Sequence, residues 1–152
     1  MLAESAASIP IAPARFPAAA GDLTRYAGKH ALRLLIVDDE PLVRWSVAET
    51  LGETGYDIDE AGDAESTVRA LFDGGRPPDV VLLDLRLPDC NDLSLLATVR
   101  RLAPTATVVL MTAFPTREIR EQALELGAAC VLDKPFELDD LDGLISRLLA
   151  RQ

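Results

Sequence analysis

Apolar residues fall along this chain in two rhythms. Five short runs, at about 32–37, 57–61, 79–84, 107–112 and 129–133, read as strands. Four of them are nearly continuous in branched residues: Leu34-Leu35-Ile36-Val37, Val80-Val81-Leu82-Leu83, Val108-Val109-Leu110-Met111 and Cys130-Val131-Leu132. Such runs, closed by polar residues, fit strands covered on both faces in a parallel sheet. The remaining run, Tyr56 to Ala61, alternates and is polar, as an edge strand does. Between the runs, apolar residues recur every three or four positions and predict helices at about 41–54, 64–73, 92–102, 116–126 and 138–150. The sheet-facing stripes are Val43, Val47 and Leu51; Val68, Leu71 and Phe72; Leu93, Leu96 and Val99; Ile119, Ala123 and Leu126; and Leu141, Leu144, Ile145, Leu148 and Leu149. Helix ends are marked as well. Asp63 stands where an N-cap belongs, Thr116 lies near the start of the fourth helix, Gly55, Gly74-Gly75 and Gly127 stop helices, and Pro104 follows the third.

Strands and helices in strict alternation predict the α/β class, with a parallel sheet, crossover connections and helices on both faces. That is a flavodoxin-like (βα)5 doubly wound five-stranded sheet, assigned to residues 31–152. Residues 1–30 differ. They are Ala-rich, carry Pro10, Pro13 and Pro17, show no sustained period, and read as a flexible Ala/Pro-rich N-terminal arm. Hardly any chain follows Leu149, so no output domain is expected after the sheet.

Charge and cysteine content narrow the partners. The 152 residues include 25 acidic and 15 basic side chains, a formal net charge of −10. The arm holds Glu4 and Asp22 against Arg15, Arg25 and Lys29, so the acidity belongs to the folded part. Direct nucleic-acid binding is disfavoured, because a phosphate backbone rewards clustered Lys and Arg. Two cysteines, Cys90 in a loop and Cys130 in a strand, do not make a disulfide framework and fit a reduced, cytoplasmic setting. No apolar stretch approaches the ~20 residues that span a bilayer, and no signal peptide is legible at the N-terminus.

The candidate chemistry lies where the strands end. The first strand runs into Asp38-Asp39-Glu40 and the third into Asp84. In an open parallel sheet these ends share one side, so three carboxylates converge and repel one another unless a cation joins them. An all-oxygen donor set suits a hard ion such as Mg²⁺. The fourth strand ends at Thr112-Ala113 and the fifth at Asp133-Lys134-Pro135-Phe136. Lys134 is the single lysine beyond the arm, among eleven arginines.

Asp-Asp, Asp, Thr and Lys-Pro on successive strand ends resemble the receiver domain of two-component response regulators, over about residues 32–150. Pro41-Leu42-Val43-Arg44-Trp45-Ser46 is similar to the same region in receivers of nitrogen-regulation-type activators. The resemblance implies that Asp84 accepts a phosphoryl group from a sensor histidine kinase or phosphotransfer protein. Asp38, Asp39, Asp84 and the backbone carbonyl of Arg86 would hold Mg²⁺. Thr112 would report the phosphoryl group, and Lys134, joined to Pro135 by a cis peptide, would pair with it. A downstream protein partner and a phosphorylation-dependent homodimer through the fourth-helix and fifth-strand face are also implied, as is a self-phosphorylating signalling domain rather than an enzyme.

Three departures from the family pattern matter. Val131 stands where receivers carry Tyr or Phe, which puts that ring's switching role in doubt. Asp92 stands where Gly is usual and is tolerable through positive φ or helix capping. Arg86 and Phe114, each two residues beyond a site residue, would restrict water at an acyl phosphate. Trp45 points away from the sheet-facing stripe. A haloacid-dehalogenase-type phosphatase would need an acid at position 86, where Arg stands. A flavin-binding relative would need a phosphate loop where Asp38-Asp39-Glu40-Pro41 stands. A degenerate receiver acting only as a protein-interaction module is disfavoured, since all five positions are filled.

Overall fold

The computed structural model describes residues 30–73 and 75–152. The arm proposed for residues 1–30 therefore lies outside the described residues except for His30, and so does the stop at Gly74. The elements in order are β1 (Arg33–Val37), α1 (Pro41–Gly52), β2 (Asp57–Ala61), α2 (Ala64–Asp73), β3 (Val80–Asp84), α3 (Ser94–Leu102), β4 (Thr107–Thr112), α4 (Arg117–Glu125), β5 (Cys130–Asp133), a 3₁₀ turn (Leu138–Asp140) and α5 (Leu141–Ala150). The strands form one parallel sheet in the order β2-β1-β3-β4-β5. The expected flavodoxin-like architecture is what the chain adopts. The alternating, polar β2 is an edge, and the fully buried β1, β3 and β4 are interior.

Strand alternation sorts the core into two layers. Leu34, Ile36, Val80, Leu82, Val109 and Met111 pack under Val47, Leu51, Leu141 and Ile145 of α1 and α5. Leu35, Val37, Val81, Leu83, Val108 and Leu110 pack under Leu96, Val99 and Ala123, with Val68, Leu71 and Ile119 against them. Two stripe residues do not join these layers. Phe72 is 69 % exposed. In α2 the fully buried place goes to Thr67, whose Oγ1 donates to the Asp63 carbonyl at 2.7 Å. Thr67 and Leu71 thus define the buried face, and one further residue turns Phe72 about 100° away from it. Leu126 is 39 % exposed because α4 has already ended and Gly127 reverses the chain at φ +104°.

Asp63 caps as expected, and Thr116 near the start of α4 serves as its N-cap. Asp63 Oδ1 accepts from Ser66 N at 2.7 Å and Thr116 Oγ1 from Ile119 N at 3.2 Å. Two glycines make a matched test of backbone conformation. A Cβ on Gly127 would adopt φ +104° and meet Arg100 Nε at 2.8 Å, whereas one on Gly52, inside α1, meets nothing within 4 Å. Gly127→Ala is expected to cost about 2 kcal/mol, and Gly52→Ala to add about 0.5 kcal/mol. Urea unfolding of both checks this, and an unchanged midpoint for Gly127→Ala would contradict it.

Candidate functional site

The topology reverses at β1, which leads to β2 on one side and has β3 on the other. This crevice is where open α/β sheets gather their functional groups. Register does the rest. Val37 pairs with Leu83, so Asp38 and Asp84 follow side by side, and Thr112 pairs with Asp133, which delivers Lys134 next.

Oxygen atoms of Asp38, Asp39 and Asp84 lie within 4.8 Å of one another. Asp38 and Asp84 are buried and Asp39 is exposed. Lys134 Nζ donates to Asp38 Oδ2 at 2.8 Å and to Asp84 Oδ2 at 3.3 Å, and lies 3.7 Å from Glu40 Oε1. Its backbone N–H donates to the Thr112 carbonyl at 2.8 Å, and its peptide bond to Pro135 is cis. Thr112 is buried, with Oγ1 accepting from Phe114 N at 3.1 Å. The structure thus gathers Asp38, Asp39, Asp84 and Lys134 at one centre, with Thr112 on the neighbouring strand end. Arg86 joins it through its backbone N–H, which donates to Asp84 Oδ1 at 3.2 Å.

Burial pushes the Asp84 carboxyl above its ordinary range, although the Lys134 ammonium and the Arg86 N–H pull the other way. Burial pulls Lys134 down, but its bonds to Asp38 and Asp84 outweigh that and hold it above its usual value. One ammonium faces three carboxylates, so negative charge is left over, and an oxygen-only donor set fits a hard divalent cation. Beside the centre opens a cleft of about 670 Å³, walled by Leu42, Val43, Phe136 and Leu138 and reaching Asp84 and Lys134. Trp45 is 58 % exposed, as its helix position predicts.

The departures resolve individually. Val131 is half-buried in edge strand β5, with its carbonyl accepting from Arg120 Nη1 at 3.4 Å. No described non-glycine residue has positive φ, so Asp92 does not supply that conformation. Instead its Oδ1 accepts from Ser94 N at 2.9 Å, from one residue before the N-cap Leu93, and α3 starts at Ser94. The Arg86 guanidinium lies 4.9 Å over the exposed Phe114 ring. Sequence reasoning missed Asp89, whose two carboxylate oxygens accept from Ala64 N at 2.8 Å and Glu65 N at 3.1 Å. It pins the loop after Asp84 to the start of α2, satisfying two helix-end donors across 24 or 25 residues. Asp89→Ala is expected to cost about 1–2 kcal/mol by urea denaturation, more than the nearby Asn91→Ala, for which no such bond exists among the described residues.

Comparison with known proteins follows the same geometry. Residues 34–146 match the family model described as the response regulator receiver domain. The transcriptional regulatory protein PdtaR of Mycobacterium tuberculosis is 36% identical over 122 residues, covering 78% of this chain and 57% of that protein. The DNA-binding transcriptional regulator NtrC of Proteus hauseri is 33% identical over 114 residues, covering 75% of this chain and 24% of NtrC. A CheY-like receiver domain protein from Methanospirillum hungatei JF-1 superposes with a TM-score of 0.74 at 26% identity, over 80% of this chain and 95% of that one. The chain thus spans 57% of the first of these curated relatives and 24% of the second.

Proposed function

The chain belongs to the response regulator receiver domain family of two-component systems, and from that premise we propose that it takes a phosphoryl group onto Asp84 and thereby switches a protein contact. A carboxylate oxygen of Asp84 bonds to phosphorus as the P–N bond of a phosphohistidine breaks. The imidazole nitrogen keeps the bonding pair, and Asp84 becomes an acyl phosphate. Mg²⁺ held by Asp38, Asp39, Asp84 and the Arg86 carbonyl would supply charge neutralisation on the transferring group. Lys134, already 3.3 Å from Asp84 Oδ2, is placed to pair with a phosphoryl oxygen as a compact point charge. Thr112 offers a hydroxyl on the adjoining strand end.

The observation that carries this reading is the cluster of two buried carboxylates, one exposed carboxylate and one bridging lysine at the topological switch point. The kinase or phosphotransfer partner, the downstream protein, the cytoplasmic setting and the assignment of residues 31–152 as the receiver belong to the same proposal. The deciding experiment incubates the protein with acetyl phosphate and Mg²⁺ and weighs it intact, with an EDTA control. Gain of one phosphoryl group that EDTA prevents supports the reading. No gain by folded, Mg²⁺-binding protein would favour a receiver that works by unphosphorylated contacts.

A further inference from the structure

Arg44 lies on the first turns of α1 and pairs with none of the three carboxylates of the candidate metal centre among the described contacts. Its guanidinium nevertheless reaches that centre's framework. Nη1 donates to the backbone carbonyl of Asp38 at 2.6 Å, and Nε donates to Glu60 Oε1, at the end of β2, at 3.1 Å. One side chain therefore ties three segments together: α1, the β1–α1 junction and the end of β2.

The consequence for Asp38 is complete fixation. Its backbone N–H donates to Ala61 O at 3.1 Å, its Oδ1 accepts from Glu40 N at 2.9 Å, and its Oδ2 accepts from Lys134 Nζ at 2.8 Å. The carbonyl is its remaining polar group, and Arg44 takes it. A buried carbonyl at a strand end needs such a partner, because water cannot reach it. The fold also keeps room for the guanidinium. A Cβ on Gly62 would stand 3.2 Å from Arg44 Nη1, so the residue after β2 is one whose missing side chain admits this contact.

We infer that Arg44 is a positioning residue for the metal centre, holding the Asp38-Asp39 turn in its ion-binding geometry through the Asp38 carbonyl. The inference rests on the proposed Mg²⁺ site. A rival effect has the opposite sign, since a cation near the centre repels Mg²⁺. Arg44 pairs with Glu60 and its side chain is 22 % exposed, so its field is partly neutralised and screened while the hydrogen bond is not. Positioning should prevail.

The test measures Mg²⁺ affinity of the full chain by calorimetry, alongside Trp45 fluorescence, for the parent and for Arg44→Met, Arg44→Lys and Gly62→Ala. Positioning predicts that both Arg44 variants bind Mg²⁺ about 10-fold more weakly, the usual scale for loss of an outer support. Lys keeps the charge but cannot span carbonyl and carboxylate as a fork does. Gly62→Ala, which keeps Arg44 but crowds it, should fall between. Acetyl phosphate labelling should show a raised Mg²⁺ requirement, with the rate at saturating Mg²⁺ returning to the parental one. Tighter binding by Arg44→Met with parental binding by Arg44→Lys would make Arg44 a mere charge and overturn the inference. Parental affinity in all three variants would overturn it too, leaving the metal site intact. A parent that binds no Mg²⁺ would remove both.

Discussion

Asp84→Asn is expected to gain no phosphoryl group under conditions that label the parent, and to lose none of its stability. The amide has the shape of the carboxylate but no anionic oxygen to attack phosphorus, and removal of a nucleophile commonly costs about 10⁴-fold or more in rate. The stability half follows from the surroundings. Asp84 is buried and its carboxyl is held above the ordinary range, chiefly by desolvation. A raised folded-state pKa means that the native protein binds this proton more tightly than the unfolded chain does. The group's contribution is then most favourable at low pH and is lost as pH rises through the folded value. At neutral pH the ionised form is the less comfortable one, so the neutral amide relieves the fold. Intact mass after acetyl phosphate treatment, with urea unfolding beside it, reads both halves. Full labelling of Asp84→Asn would move the acceptor elsewhere, and a large drop in stability would mean that the carboxylate supports the fold.

Lys134→Met should behave in the opposite way, losing both stability and chemistry. The lysine bridges Asp38, which is fully buried, and Asp84, which is nearly so. Replacing the ammonium by a thioether leaves two neighbouring carboxylates without a cation, and breaking a buried pair of this kind costs about 3 kcal/mol. Mg²⁺ should recover more of that stability in Lys134→Met than it adds to the parent, because a divalent ion takes over the neutralisation. Labelling by acetyl phosphate at saturating Mg²⁺ should still fall by about 100-fold, the scale of losing one preorganised charge beside a developing one. Melting with and without Mg²⁺, together with the initial labelling rate, measures this. A variant as stable as the parent without Mg²⁺ would show that Lys134 offsets no buried charge.

Asp84 and Lys134 are also the residues most legible in the amino-acid order. Val80 to Leu83 is an uninterrupted branched run, and a buried strand of a parallel sheet reads that way whatever surrounds it. The acid that ends the run is therefore placed at the sheet's edge by local pattern alone. The same holds for Asp38, Asp39, Thr112 and Lys134, each at the close of an apolar run. Convergence needed one further rule, that parallel strands present their carboxyl ends together. Faces were legible where a stripe was unambiguous, as at Val47 and Leu51, and illegible where a polar residue competed, as at Thr67 against Phe72.

Hydrophobic periodicity encodes which elements form and where they stop, because both depend on a residue's immediate neighbours. It does not encode contacts between segments distant along the chain. Asp89 capping α2, and Arg44 gripping the Asp38 carbonyl while paired with Glu60, arise once the sheet has set three loops side by side. Asp92 could stand in for glycine by adopting positive φ or by capping, and the path of its loop gave it a bond to the Ser94 N–H beside the N-cap Leu93. A side chain's polar partner is chosen by what the fold brings within about 3 Å. That choice belongs to the tertiary structure, and it brings Asp38, Asp39, Asp84 and Lys134 from three strand ends to one centre.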